Sequence, residues 1–126
     1  MSLKLYTVVR HDLDPGAQAA QSAHALAALA LNHPGPFKRW DNQTIVLLKT
    51  TNKITIDRLV ESAEDGHFTY ATFREPALLW FGEWDCAHNI MTAVSFAPSW
   101  TVQNVLLKDL PLALSDTKKK RSWFRR

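Results

Sequence analysis

The stretch VVRHDLDPGAQAAQSAHA, Val8–Ala25, decides the fold of this chain. An apolar strand predicted over Leu3–Arg10 runs into a charged turn, and Pro15 and Gly16 then open a helix. Proline suits the first helical turn, where its missing N–H leaves no hydrogen bond unmade. In α/β proteins, binding and catalytic groups gather where a strand ends and the next helix begins. This stretch is therefore the first place to look for a functional site.

The elements that follow alternate in type. The first helix is predicted to continue to about Leu31 and to stop at the helix-breaking sequence NHPGP. Gly66 is predicted to end the second helix, which spans Thr55–Asp65. The other predicted elements are the strands Thr44–Thr50, Phe68–Phe73 and Thr92–Phe96 and the helices Thr55–Asp65 and Trp100–Leu110. The near-continuous apolar run TIVLLKT is typical of a strand buried on both faces. The order β-α-β-α-β-β-α predicts an α/β fold, a three-layer α/β/α sandwich around a four-stranded mixed, mainly parallel sheet.

The first helix carries a polar stripe. At 100° per residue, Gln18, Gln21 and His24 share one side, and small alanines such as Ala23 and Ala27 share the opposite side. Small side chains allow a helix to approach a sheet closely, so the alanine side is predicted to pack. The polar stripe would then face solvent, a cleft or the polar edge of another element.

Composition and charge limit the classes of function. The 126 residues are 46% hydrophobic and 21% charged, which fits one globular domain over residues 1–115. The net charge of +3 is uneven, because Asp116–Arg126 carries six Lys/Arg and one Asp while the rest of the chain is slightly acidic. This tail, DTKKKRSWFRR, is interpreted either as a phosphate-binding segment or as a solvated, flexible terminus. A single cysteine, Cys86, excludes an internal disulfide, and the absence of a membrane-length apolar run or a signal-peptide pattern predicts a cytoplasmic protein with no membrane partner.

The opening motif resembles that of the peptidyl-tRNA hydrolase type 2 (PTH2) family. In that family a first strand ends in Val-Arg-x-Asp-Leu, and a glycine-containing turn leads to Ala-Ala-Gln and His-Ala on the helix. The matching positions are Arg10, Asp12, Leu13, Gly16, Ala19, Ala20, Gln21, His24 and Ala25. Two weaker segments, FREP at Phe73–Pro76 and TAVSFAP at Thr92–Pro98, extend the resemblance over roughly Leu3–Leu112.

The resemblance implies hydrolysis of the ester that joins a peptide to tRNA. This reaction needs a positioned water, a proton acceptor and donors for the developing oxyanion, and it requires no metal and no organic cofactor. The resemblance places Glu75 where the family has an aspartate, Thr92 at a family threonine and Leu79 at a second one. Ala17 stands where the family has a lysine, which makes this chain a divergent member.

The resemblance and the residue types together select the site. The predicted catalytic residues are Glu75, Thr92, His24 and Gln21, and the predicted substrate-binding residues are Arg10, His11, Asp12, Gln18 and Arg74. Alternative structural roles remain open for several of them. Asp12 is expected to cap the helix or to orient Arg10, and Glu75 could instead pair with Arg74.

Three functions remain at this point. The first is a peptidyl-tRNA hydrolase with peptidyl-tRNA as its partner. The second is a noncatalytic RNA-binding relative that uses Arg10 and the basic tail. The third is a protein-interaction module, in which the aromatic side chains of Trp80, Phe81 and Trp84 form a homodimer surface.

Overall fold

The computed structural model describes residues 2–75, 78–80, 83–85 and 90–114. Phe81, Cys86 and the basic tail lie outside the described residues, and the side chains of Trp80 and Trp84 are outside the description as well. The predicted aromatic homodimer surface therefore stays a prediction. The described elements are β1 (Leu5–Val9), α1 (Pro15–Asn32), α2 (Pro34–Phe37), β2 (Ile45–Lys49), α3 (Ile56–Asp65), β3 (Tyr70–Glu75), β4 (Leu78–Trp80), β5 (Glu83–Asp85), β6 (Ile90–Phe96) and a π-helical segment, Val102–Leu106.

Four of the strands form one sheet in the order β2-β1-β6-β3. The α/β class and the four-stranded mixed sheet are thus confirmed, but the prediction of a mainly parallel sheet is wrong. Only β1 and β2 pair in parallel, because β6 lies between β1 and β3 and runs antiparallel to both. The physical reason is the connection between β3 and β6, which contains the short β4–β5 hairpin instead of a crossover helix.

The strand β2 lies at an edge of the sheet. Ile45 is 45% exposed, so the predicted burial on both faces is wrong. The C-terminal segment closes on the outer side of β2, where Lys49 N–H donates to Pro111 O at 3.0 Å and Ala113 N–H donates to Leu47 O at 2.8 Å. The end of the described chain is therefore fixed against the sheet, and it returns toward α1.

Helices cover both faces of the sheet. On one face α1 packs through Leu29 and Ala25 against the odd-numbered side chains of β1, such as Leu5 and Val9. On the other face α3 and the π-helical segment enclose a larger core cluster around Val8 and the other even-numbered positions. The last helix is shorter than the predicted Trp100–Leu110, because helical geometry ends at Leu106.

The packing side of α1 is the reverse of the prediction. Gln18, Gln21 and Ser22 are buried against the sheet, whereas Ala23 and Ala27 are exposed. The amides of both glutamines find hydrogen-bond partners in the interior, and burial of a polar group is costly only when it is left unpaired. Gln18 and Gln21 of the polar stripe therefore lie on the inner side of the helix beside the strands, while His24 is exposed. No helix in the described part of the chain is long and apolar enough to cross a membrane.

Candidate functional site

The site is organised by the first turn of α1. Asp14, and not Asp12, caps the helix, because its Oδ1 accepts a hydrogen bond from Ala17 N–H at 2.8 Å. The predicted capping role of Asp12 is therefore wrong, while Pro15 begins the helix as predicted. This start sets the helical phase, so that Gln18 and Gln21 fall one turn apart on the side facing the sheet.

Gln21 joins the helix to two strands. Its Nε2 donates to Glu75 Oε2 at 3.0 Å, and its Oε1 accepts from Thr92 Oγ1 at 2.8 Å. An ionised carboxylate can only accept, so the NH₂ end of the amide must face Glu75, and the orientation of the Gln21 side chain is thereby fixed. Three of the four predicted catalytic residues, Gln21, Glu75 and Thr92, therefore form one continuous hydrogen-bonded chain.

A β-bulge brings Thr92 into this chain. In the β3–β6 register Phe73 pairs with Ala93 and Arg74 with Met91, so Thr92 is the extra residue. Strict alternation would send Thr92 to the face opposite Ala93, but the bulge turns its fully buried hydroxyl toward Gln21 on α1. A second, longer contact at 3.4 Å joins the hydroxyl to Phe73 O.

His24 lies at the exposed rim of the same cluster. It follows Gln21 by one helical turn, and its ring stacks on Phe73 with centroids 4.2 Å apart and planes 10° from parallel. Phe73 immediately precedes the Arg74-Glu75 pair at the end of β3. The stack therefore fixes an imidazole beside the Glu75–Gln21–Thr92 chain while its ring nitrogens stay close to solvent.

Gln18 connects the loop after β1 with the C-terminal segment. Its Nε2 donates to Leu13 O at 2.8 Å and, at 3.4 Å, to His11 O, while its Oε1 accepts from Leu114 N–H at 2.9 Å. The side chain is only 5% exposed. Gln18 was predicted to bind substrate, but in this geometry both ends of its amide are used inside the protein.

The remaining predicted residues gather at a separate cavity. Arg10 holds Asp12 through two hydrogen bonds, Nε to Oδ1 at 3.1 Å and Nη2 to Oδ2 at 2.7 Å, so Asp12 orients Arg10 as the second alternative expected. The Nδ1 and backbone N–H of His11 lie 2.9 and 3.1 Å from Thr50 Oγ1. The cavity, of about 220 Å³, is lined by Arg10, His11, Asp12, Thr50, Thr55 and Asp57, among others.

The structure thus divides the predicted residues into two groups. Gln21, Glu75, Thr92 and His24 lie together on the α1 side of the sheet. Arg10, His11 and Asp12 line the cavity where β1 and β2 end, beside α3. Arg74 is exposed and pairs in register with Met91, which also lines this cavity.

Sequence reasoning missed several residues that shape the site. Phe73 supports His24, Thr50 holds His11, and Leu114 closes on Gln18. Long-range contacts of this kind have no local sequence signal. The capping role of Asp14 did have a local sequence signal, since an Asp immediately before a Pro at the helix start is a typical cap. The sequence reasoning assigned that role to Asp12, two residues earlier, instead.

Two features of the described residues concern cofactors and titration. No group of three His, Cys, Asp or Glu side chains in the described part of the chain lies close enough to hold a metal ion.

The pKa values of two tyrosines are raised. The hydrogen bond from Tyr70 Oη to Glu64 Oε1, 2.6 Å long, raises the pKa of Tyr70, with smaller contributions from burial and from the Glu64 charge. Burial raises the pKa of Tyr6.

Comparison with known proteins identifies the family. The model of the family described as peptidyl-tRNA hydrolase PTH2 matches residues 3–112, which includes both groups of candidate residues. No curated protein matches the chain. Since the family model covers most of the sequence, the chain belongs to the peptidyl-tRNA hydrolase PTH2 family, and this membership implies peptidyl-tRNA hydrolase activity.

Proposed function

We propose that the protein hydrolyses peptidyl-tRNA with Glu75 as the general base. The single observation that carries this proposal is the hydrogen-bonded chain from Glu75 through Gln21 to Thr92. In this chain the partly buried carboxylate of Glu75 accepts from Gln21, whose side chain is itself held between α1 and β6 by its bond with Thr92. A base held in one orientation by buried partners is the arrangement that proton transfer needs.

Glu75 is suited to activate water. A carboxylate has about four acceptor positions on its two oxygens, so it can accept the bond from Gln21 and also bond a water molecule. In the proposed reaction the water oxygen attacks the ester carbonyl carbon as its proton passes to Glu75. The tetrahedral intermediate then collapses, the bond from carbon to the ribose oxygen breaks, and Glu75 returns the proton to that oxygen.

Donors for the oxyanion come from the same cluster. Gln21 Nε2 has a second N–H besides the one directed at Glu75, and the imidazole of His24 stands one helical turn away at the exposed rim. Preorganised donors near a developing oxyanion contribute about 3–4 kcal/mol each to transition-state stabilisation. We assign this role to Gln21 and His24.

No lysine is needed at the start of α1 in this proposal. Ala17, which the family resemblance places at the lysine position, packs against the apolar cluster that contains Val9 and Leu13. Arg10 and Arg74 stand near the ends of the strands and His11 lines the cavity beside them. We assign these three residues to contacts with the nucleic acid, with Asp12 and Gln18 as the residues that position the loop.

The test is turnover of an N-acetylated aminoacyl-tRNA by the wild-type protein and by E75Q. The amide introduced by E75Q can still accept the Gln21 hydrogen bond, so folding is preserved, while kcat falls by about 10²–10⁴ because the base is lost. E61Q, an exposed carboxylate on α3, is the matched control and keeps full activity. Wild-type activity in E75Q would refute the role of Glu75.

A second outcome distinguishes the noncatalytic alternative. If the folded wild-type protein gives no turnover at high concentration but still binds tRNA, the chain is a binding protein on the family fold. The homodimer stays a prediction, and sedimentation equilibrium measures it directly.

A further inference from the structure

We infer that the outer edge of β3 binds the peptide part of peptidyl-tRNA as an added strand, which runs parallel to β3 and ends at Glu75. This inference rests on the proposed function for the identity of the substrate. In the order β2-β1-β6-β3 the strand β3 lies at one edge of the sheet. An exposed edge strand presents N–H and C=O groups that can bond an extended chain.

The register of β3 shows which of its backbone groups face outward. Ala97 N–H donates to Thr69 O at 3.0 Å, so these two residues form a hydrogen-bonded pair. In antiparallel strands such pairs recur at every second residue, so Ala71 also bonds to β6. The N–H and C=O of Tyr70 and Thr72 therefore point to the outer side of β3, where no strand in the described part of the chain pairs with them.

The opposite edge of the sheet is treated differently. On β2 the outward-facing groups of Lys49 and Leu47 bond to Pro111 and Ala113, so the C-terminal segment occupies that edge. Within β3, residues 70–73 contain neither a proline nor a charged side chain, which are features that protect many edge strands against pairing. The edge of β3 is therefore suited to accept a further strand.

A groove follows this edge toward the catalytic carboxylate. It has a volume of about 450 Å³ and is lined by residues 68–72 and, at the end of α1, by Asn32 and His33. Glu75 ends the same strand three residues after Thr72, a distance of about 10 Å at about 3.3 Å per residue. A chain that enters by the groove and follows β3 therefore brings its last residue to Glu75.

The chemistry fixes the direction of the bound chain. In peptidyl-tRNA the ester lies at the C-terminus of the peptide, so that end must be at Glu75 and the earlier residues toward Tyr70. The peptide then runs parallel to β3, and Tyr70 and Thr72 each offer it one N–H and one C=O. With the ester-bearing residue opposite Glu75, the third and fifth peptide residues from the ester donate to Thr72 O and Tyr70 O.

Main-chain pairing is appropriate for a substrate whose peptide has no fixed sequence. Binding by strand addition takes its affinity from backbone hydrogen bonds, and sequence specificity arises where pockets receive side chains. The side chains that β3 and the residue before it contribute to the groove include Thr69, Ala71 and Thr72, which are small and uncharged. We therefore expect this edge to bind peptides of very different sequence.

The experiment measures how much affinity the upstream peptide residues provide. The probes are N-acetylated peptides of one and of about seven residues, joined by an amide to adenosine whose 3′ oxygen is replaced by nitrogen, so that they are not hydrolysed. We expect the long probe to bind the full wild-type chain at least about 10-fold more tightly than the short one in calorimetric titration, for two unrelated sequences alike. N-methylation of the third or fifth residue removes most of this gain. N-methylation of the fourth residue, whose N–H faces away from β3, is the matched control and keeps the gain.

A proline in β3 tests the same contact from the protein side. T72P removes an outward-facing N–H without removing a bond to β6, and proline is tolerated on an edge strand at such positions. We expect T72P to reduce the gain in affinity by about 5-fold or more. The matched control is I45P, because Ile45 begins the opposite edge strand β2 and alternates with Leu47, whose C=O faces outward. I45P keeps the gain.

Hydrogen exchange locates the bound strand in the wild-type protein. We expect the amide protons of Tyr70 and Thr72 to exchange at least about 10-fold more slowly with the long probe than with the short one, measured by nuclear magnetic resonance. Slower exchange elsewhere in the sheet, with no change at these two amides, would place the peptide at another site and overturn the inference.

Binding and hydrolysis fail separately. A gain in affinity for the long probe without turnover of N-acetylated aminoacyl-tRNA would refute the catalytic proposal and support the peptide site. Hydrolysis that depends on Glu75, together with equal affinity for both probes, would overturn the inference alone. A dimer that T72P dissociates and I45P does not, with no gain for the long probe, would also overturn it, because the edge would then pair with a second copy of the chain.

Discussion

The substitution Q21E tests the central contact of the site. It changes an amide to a carboxyl group of the same shape at a side chain that is 6% exposed, with Glu75 Oε2 3.0 Å away. Two carboxylates at this distance cannot both be ionised, so the folded variant must hold one extra proton between them. We expect Q21E to be destabilised at neutral pH and close to wild type in acid.

The size of the effect follows from two limits. Repulsion between two unit charges at 3.0 Å is about 5.5 kcal/mol at an effective dielectric constant of about 20. Keeping one carboxyl protonated at about pH 7, against a reference pKa of about 4.3, costs about 3.7 kcal/mol. Proton uptake is the smaller cost and therefore the upper limit of the destabilisation, and rotation of the partly buried Glu75 side chain away from position 21 reduces it further. We therefore expect a loss of about 2–3.7 kcal/mol in the free energy of unfolding.

The sign of the pH dependence is fixed by linkage. The shared proton raises the folded-state pKa of the pair above its unfolded value, so stability is present below about pH 4 and is lost as the pH rises. An unfolding entropy of about 2.1 cal/mol/K per residue, over 126 residues, converts each kcal/mol into about 4 °C of Tm. The expected fall is about 8–15 °C at about pH 7, measured by thermal unfolding with circular dichroism.

The exchange variant Q21E/E75Q is the control. It restores one carboxylate and one amide at the same contact, and Thr92 keeps an acceptor, so most of the lost Tm returns at neutral pH. Hydrolysis does not return, because the carboxylate now sits at the buried position on α1. The reasoning is refuted if Q21E is as stable as wild type at neutral pH, or if the exchange variant is no more stable than Q21E.

Two further predictions concern stability and titration. Ser22 Oγ is buried and has no hydrogen-bond partner among the described residues, so S22A is expected to raise the free energy of unfolding by about 1–2 kcal/mol. The exposed helical control S62A gains only the helix-propensity difference of about 0.5 kcal/mol, and equal effects of the two would contradict this account. Because Glu64 raises the pKa of Tyr70 above the ordinary 10.0, E64Q should lower that pKa toward 10.0, measured by ultraviolet titration in a Y6F background. In the wild-type protein the raised pKa of Tyr70 contributes stability that is fully present below the unfolded pKa and is lost as the pH rises through the folded pKa. An unchanged Tyr70 titration in E64Q would contradict the contact with Glu64.

Much of the α1 region was predictable because its signals are local. Pro15 set the start of the helix, the breaker cluster after Leu31 set its end, and the spacing of Gln21 and His24 placed both on one side. The motif around them also predicted the family that the family model matches. Each of these follows from backbone geometry over one or a few helical turns, which neighbouring residues determine by themselves.

The orientation of the helix and the arrangement of the strands were not predictable in this way. The alanine side looked suited to packing, but the buried side is the one whose Gln21 amide finds partners on β3 and β6. Periodicity shows that two sides differ and does not show which one meets the sheet. Similarly, the direction of β6 depends on the hairpin that precedes it, and the apolar run of β2 did not distinguish a central strand from an edge strand.

The sequence by itself determined the residue types of the site, the helix that carries two of them and the separation of charge between body and tail. The tertiary structure decided which residues meet. Gln21 and Thr92 are 71 positions apart, and only the pairing of β6 with β3, together with the bulge at Thr92, brings the hydroxyl to the amide. The physical reason is that strand register and bulges are set by long-range hydrogen bonding and packing, which no local stretch of sequence encodes.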